Sequence, residues 1–263
     1  YYGGTMSAVL LGDKTGLDPE MKKMYQKNGI GHLLAISGLH MSFIGMGIYG
    51  LLRRIGLGFI PAGIAGGAVL VLYTLMIGAG VSSLRALIMF LIRVGADITG
   101  RDYDLATSLA VAAAILCARQ PLYVTDAGFI LSFGAILGMV LLSPVFTEMF
   151  RSETLETVAA EHKEKRPGKG KRCRKRKLAA AVLRLTGSFS SSLAVNILLL
   201  GPMLYFYFEL PPYSVILNLL VIPIMPVAMA AGIIGSALTL LSDGIGGAVL
   251  GVSGSVLWLY DVL

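Results

Sequence analysis

The chain has 263 residues, 56% of them hydrophobic, with 33 glycines and a mean hydropathy of +0.77. Only 14% are charged, against about 25% in soluble domains, which excludes a soluble globular enzyme, a disordered tail and a disulfide-stapled secreted domain and points to a polytopic membrane protein. The net charge of +7 is local: residues 163–177 hold ten Lys/Arg and one acid, Glu164, so the rest of the chain is close to neutral.

The chain opens on Tyr1 and stops at Asp261-Val262-Leu263 inside an apolar stretch, and we expect an internal fragment of a longer protein. Residues 1–31 read as an extracytoplasmic lead-in. Apolar runs of spanning length then predict helices at 33–52, 59–79, 82–98, 105–119, 127–147, 190–208, 214–240 and 245–263. The expected fold is therefore all-α, a polytopic transmembrane helical bundle of about eight helices. It divides into a first group over 32–150 and a second, truncated group over 178–263. Between them, 151–177 reads as a basic cytoplasmic linker, disordered around Pro167-Gly168-Lys169-Gly170. Lys/Arg asymmetry agrees with that orientation, because Arg53-Arg54 and Arg101 fall on the same side as the linker. Four lysines in 1–31 run against it, which a large external domain ahead of this segment explains.

Polar groups inside the spans are candidates for function. His32-Leu-Leu-Ala-Ile-Ser37-Gly38-Leu39-His40 opens the first helix, with Ser37 and His40 three residues apart on one face. They serve as a nucleophile and base, as packing groups between helices, or as the polar lining of a cavity. No carboxylate nearby in sequence orients the histidine for the first role. Arg85 and Arg93 share the third helix, about 12 Å and roughly 80° apart. A cation within an apolar span costs at least about 2.5–3.5 kcal/mol on insertion scales, so each needs protein or water around it. Arg93 has Asp97 four residues on as a partner at the cytoplasmic interface. Arg85 has no such partner, and its depth in the span is open.

Asp126 reads as an exposed helix cap ahead of Ser132. Ser188, Ser190, Ser191, Ser192 and Asn196 make a polar start to the sixth helix, as packing or pore lining. Asn218 precedes Pro223 and Pro226 in a 33-residue uncharged stretch, which reads either as a broken helix of the kind that carries transporter sites or as an ordinary kinked one. Cys117 and Cys173 form no ligand pattern and three histidines are too few for a dimetal centre, so no metal or cofactor is expected and no catalytic residue is assigned. The basic linker suits anionic lipid and topology setting, and it lacks the interleaved aromatics of a base-stacking surface.

Several of these runs resemble one family. Gly12-Asp13 through Gly16-Leu17-Asp18-Pro19-Glu20, and then Gly29-Ile30-Gly31-His32 through His40, are similar to the opening signature of the ComEC competence domain. Ser83-Leu84-Arg85-Ala86, Asp126 through Phe133, and Asn218 through Pro223 continue the resemblance in order and spacing. It implies an inner-membrane channel of the bacterial cytoplasmic membrane that admits one strand of DNA during natural transformation. It also implies an external OB-like domain before this region and a metallo-β-lactamase-like domain after it. The partners implied are single-stranded DNA, the lipid bilayer, a DNA receptor and a separate cytoplasmic motor, with a homo-oligomer left open. Candidates for the DNA path are His32, Ser37, His40, Arg85, Asp126, Ser132, Asn196, Asn218 and Pro223. The competing functions are a secondary transporter of a small anionic solute and an intramembrane Ser/His hydrolase.

Overall fold

The computed structural model describes residues 37–150, 169–207, 214–239 and 242–262, with residues 4, 7, 8, 10, 12 and 20 besides. Among the described residues there are helices and no strands. Helix α1 (Gly38–Arg54) starts where Ser37, in an extended conformation, turns its hydroxyl onto the first-turn backbone, and His40 completes a capping box. Helix α2 (Phe59–Met76) ends in a tight turn with Gly78 at φ 90° and Ala79 at φ 50°. Helix α3 (Val81–Thr99) is stopped by Gly100 in the left-handed conformation, φ 67°. Helix α4 (Leu105–Arg119) is capped by Asp104, whose carboxyl is held below its usual range chiefly by the Thr107 hydroxyl and backbone N–H. A 3₁₀ turn (Pro121–Thr125) leads to α5 (Ala127–Leu141), and helical backbone resumes beyond Leu142 as far as Phe150. Helices α6 (Lys169–Tyr207), α7 (Ser214–Thr239) and α8 (Asp243–Val262) complete the order.

Two boundaries correct the expectations. The sixth helix begins at Lys169 rather than near 190, so 169–177 are helical where a disordered loop was expected. Lys, Arg, Ala and Leu are all strong helix formers, and extending a helix already nucleated by an apolar span adds a bond per residue. Pro167-Gly168 therefore marks a helix start, not the middle of a loop. At about 58 Å, α6 is far longer than the ~30 Å bilayer core; only its Thr186–Tyr207 part is apolar enough to cross. The first helix begins at Gly38, not 33; positions 33–36 lie outside the described residues.

Helices α1 and α3 run parallel and in register. Gly38 meets Arg85 at one end, and Tyr49 meets Phe90 edge-on and Asp97 toward the other. The antiparallel α2 packs on both, its Gly63 and Gly66 giving room to Val94 and Phe90. That contact buries Met41, Tyr49, Ala62, Leu70, Phe90 and Val94. A second core joins α3, α4 and α5 through Met89, Leu109, Ala112, Leu116 and Phe133. Helices α5 and α6 approach at Gly138, where a Cβ would sit 3.0 Å from the Ala194 carbonyl, and are joined by a 2.8 Å Ser143–Ser191 hydroxyl bond. A third core, Val221, Met225, Met229 and Leu257, pairs α7 with α8 and receives Leu39 and Phe43 of α1. Helices α1, α3, α5, α6 and α7 thus form a closed circuit of contacts, each touching the next and α7 returning to α1, with α2, α4 and α8 packed on its flanks.

The apolar surface explains where such a bundle is stable. Ile64, Leu72 and Leu122 are about two-thirds or more exposed, among many large apolar side chains turned outward. A water-facing patch of this extent is not sustained by a soluble monomer. Three helical stretches, Phe59–Met76, Ala127–Phe150 and Thr186–Tyr207, are each long and apolar enough to cross a membrane. The chain is a membrane protein.

Candidate functional site

The first turns of α1, α3 and α5 meet around Arg85. This arginine is only 5% exposed and sits on the fifth position of α3, after Gly80, whose carbonyl accepts a 2.8 Å bond from the Ser83 hydroxyl. Its Nη1–H donates to the Ser132 carbonyl of α5. Its Cζ lies 5.7 Å from the Phe133 ring centroid, within cation–π range. Its Nη2 lies against Gly38, the first residue of α1, where a Cβ would stand 2.5 Å from it. Only a glycine admits the guanidinium at that point. The Nε–H is buried without a hydrogen-bond partner, and among the described residues no ion pair includes Arg85.

That arrangement is electrostatically poor as it stands. Helix N-termini carry partial positive charge, so the start of α1 disfavours a cation beside it. A buried N–H left unsatisfied costs about 1–3 kcal/mol, more on a charged group. One carbonyl and one aromatic face are the compensation found. The local geometry makes a positive pocket in an apolar bundle.

Ser37 and His40 build the wall beside it. The Ser37 Oγ lies 2.9 Å from His40 Nδ1, and the Ser37 backbone N–H donates to the same nitrogen at 3.2 Å. Nδ1 is therefore the acceptor, which leaves the proton of a neutral ring on Nε2. The Ser37 Oγ also accepts the Leu39 N–H at 3.3 Å. Every one of these bonds satisfies the first turn of α1, and His40 is fully buried. The pair acts as a helix cap that sets where α1 begins, and so where Gly38 faces Arg85.

The structure thus brings Ser37, His40, Arg85 and Ser132 together, Ser132 through its carbonyl and not its hydroxyl. Asp126 is an exposed cap whose Oδ1 accepts the Phe129 N–H at 3.0 Å, and it makes no ion pair with Arg85. Asn196 donates to the Ser192 carbonyl of its own helix at 2.9 Å, away from this junction. His32 lies outside the described residues, as do the side chains of Asn218 and Pro223. The α7 backbone is continuously helical through Pro223 and Pro226, so of the two expectations for that stretch the broken helix is not what forms; neighbouring helices tolerate the missing N–H groups. Two contributors were not among the candidates, Gly38 and Phe133. Each adjoins one that was, Ser37 and Ser132, and only the meeting of distant helices singles them out. Among the described residues no three His, Cys, Asp or Glu come together as metal ligands.

The far end of α3 differs. Arg93 Nε lies 3.6 Å from Asp97 Oδ1, the expected pair, with 43% of its side chain exposed. Tyr49 of α1 donates to the other carboxylate oxygen at 3.0 Å, and Arg93 stands 5.1 Å from the Tyr103 ring.

Comparison with known proteins bears on all of this. The profile of one family, described as Competence protein, matches residues 9–263. ComE operon protein 3 of Bacillus subtilis is 31% identical over 146 residues, covering 56% of this chain and 19% of that protein. Recombination protein 2 of Haemophilus influenzae is 29% identical over 147 residues, 53% of this chain and 18% of that protein. The matched region therefore spans less than a fifth of either relative's length. No solved structure matches.

Proposed function

The chain belongs to the Competence protein family, and from that premise we propose that it forms the membrane part of a channel that passes single-stranded DNA across the bacterial cytoplasmic membrane. The observation that carries this reading is Arg85, a cation buried among the first turns of α1, α3 and α5 with no carboxylate to neutralise it. A phosphodiester strand cannot enter hydrocarbon; it needs donors along a protected path. Arg85 provides charge-assisted contacts to phosphate oxygens. A sparse set of such donors suits passage, since a strand held at many cations does not leave. The basic segment leading into α6 then faces the cytoplasm, and a DNA receptor outside and a motor inside supply capture and drive. The chain itself performs no chemistry on the strand; the Ser37–His40 contact is taken up in capping α1.

The test is complementation. The full-length protein is expressed in a transformable bacterium deleted for its own channel, with membrane insertion confirmed, and internalised, nuclease-protected labelled DNA is counted. Restored internalisation supports the channel. A correctly inserted protein that gives no uptake in its native organism, yet moves a small anion in vesicles, overturns it in favour of the solute transporter.

A further inference from the structure

We propose that the free edge of the Arg85 guanidinium is a seat for one oxyanion of the phosphate class, filled in the resting protein without any nucleic acid. A guanidinium grips two oxygens of one oxyanion through parallel N–H donors along an edge. In Arg85 the Nη1 donor is committed to the Ser132 carbonyl. That leaves the Nε–H/Nη2–H edge, the side-on pair, with no hydrogen bond to any described residue. The group is 5% exposed and enters no ion pair. Its free edge is not balanced by a carboxylate, and it lies beside the positive end of α1.

Two further features fit a seat. Gly38 leaves the volume that any Cβ would take from Nη2. The Ser37–His40 cap ties up first-turn donors of α1 within the chain, so the arginine, not the bare helix end, is the group that lacks a partner. A halide would take one contact from this edge, whereas an oxyanion takes both donors. The occupant is thus an oxyanion with two coplanar oxygens, and free phosphate and a phosphodiester present the same chemistry. Filling the seat with a free ion neutralises the junction between passages, and a strand's phosphates then enter by exchange. This last step rests on the channel reading; the seat itself does not.

The experiment uses the full-length protein in lipid nanodiscs of fixed composition, at constant ionic strength and without nucleic acid, with inorganic phosphate as the probe. The thermal unfolding midpoint is expected to rise saturably with phosphate. Arg85→Gln and Gly38→Ala should lose the rise, and Arg85→Lys, a point charge without the fork, should need about tenfold more phosphate. A wild-type midpoint no more sensitive to phosphate than that of Arg85→Gln overturns the seat. Should the variants fail to fold, the ³¹P line width of phosphate with the wild-type protein decides alone: broadening reversed by sulfate is expected, and its absence overturns the seat. A short phosphodiester oligonucleotide then separates the two readings. Displacement of bound phosphate by it, and not by its uncharged methylphosphonate analogue, is expected of a strand path. Phosphate that binds but resists displacement sustains the seat while counting against the passage of DNA there.

Discussion

The two ends of α3 carry the same residue type in opposite circumstances. Arg93 is part-exposed, paired with Asp97 and steadied by Tyr49 and Tyr103. Arg85, about 12 Å away along the helix, is buried, unpaired, and pressed against a helix N-terminus. A cation near an interface with its own carboxylate is an ordinary way to end a membrane helix. A buried cation without one is an expense to the fold, and a fold keeps such a group where an anion arrives to relieve it. The difference is one of partners, since a methylene stem and a guanidinium are common to both. It teaches that the location of the missing negative charge, rather than the presence of arginine, marks the site.

The comparison breaks most readily by removing each cation in turn. Arg85→Ala is expected to lower nuclease-protected DNA internalisation by about 10- to 100-fold, the loss of one or more hydrogen bonds to a charged group. Arg93→Ala at equal membrane abundance should change it by no more than about threefold, since an exposed pair is worth less than about 1 kcal/mol. Equal losses in the two would erase the distinction. Gly38→Ala comes next. Its Cβ displaces Nη2, and uptake is expected to fall by about tenfold for the loss of one good donor contact, while Gly47→Ala, with nothing within 4 Å, leaves uptake intact.

Gly138→Ala asks whether any tight glycine would do the same. There the added Cβ meets the Ala194 carbonyl at 3.0 Å and the Val195 Cα at 3.2 Å. Overpacking of this kind costs about 1–3 kcal/mol, to be seen as a lower unfolding midpoint in micelles with uptake per inserted molecule retained. The smallest effect belongs to Tyr49→Phe. It removes one hydrogen bond to Asp97 and should cost about 0.6 kcal/mol, the average for such bonds between membrane helices. A larger loss would mean that the Arg93 end is as finely held as the Arg85 end.

Much of the fold was legible in the chain because lipid allows few solutions. A backbone in hydrocarbon must satisfy its own hydrogen bonds, so apolar runs of spanning length become helices and little else. The elements at 59–79, 82–98, 105–119 and 127–147 lie close to α2, α3, α4 and α5 for that reason. Asp126 was legible as a cap because a cap is a local hydrogen bond. The start of α6 was not, because Gly168 and Gly170 signal a loop while the weight of Lys, Arg and Ala around them favours helix, and cooperativity settles such a contest over many residues.

The pairing of Arg93 with Asp97 was also within reach of the sequence, as two residues four apart on one helix must be neighbours. The surroundings of Arg85 were not. Its contacts come from α1 and α5, 47 residues away on either side, and they use a glycine, a carbonyl oxygen and a ring face that no spacing rule marks. The sequence by itself determined that this protein crosses a membrane as helices, where most of them run and which side chains are too polar for lipid, since transfer from water depends on composition and local periodicity alone. Only the tertiary structure decided which of its two intramembrane arginines is left without a counter-charge, since that depends on which helices pack together and in what register.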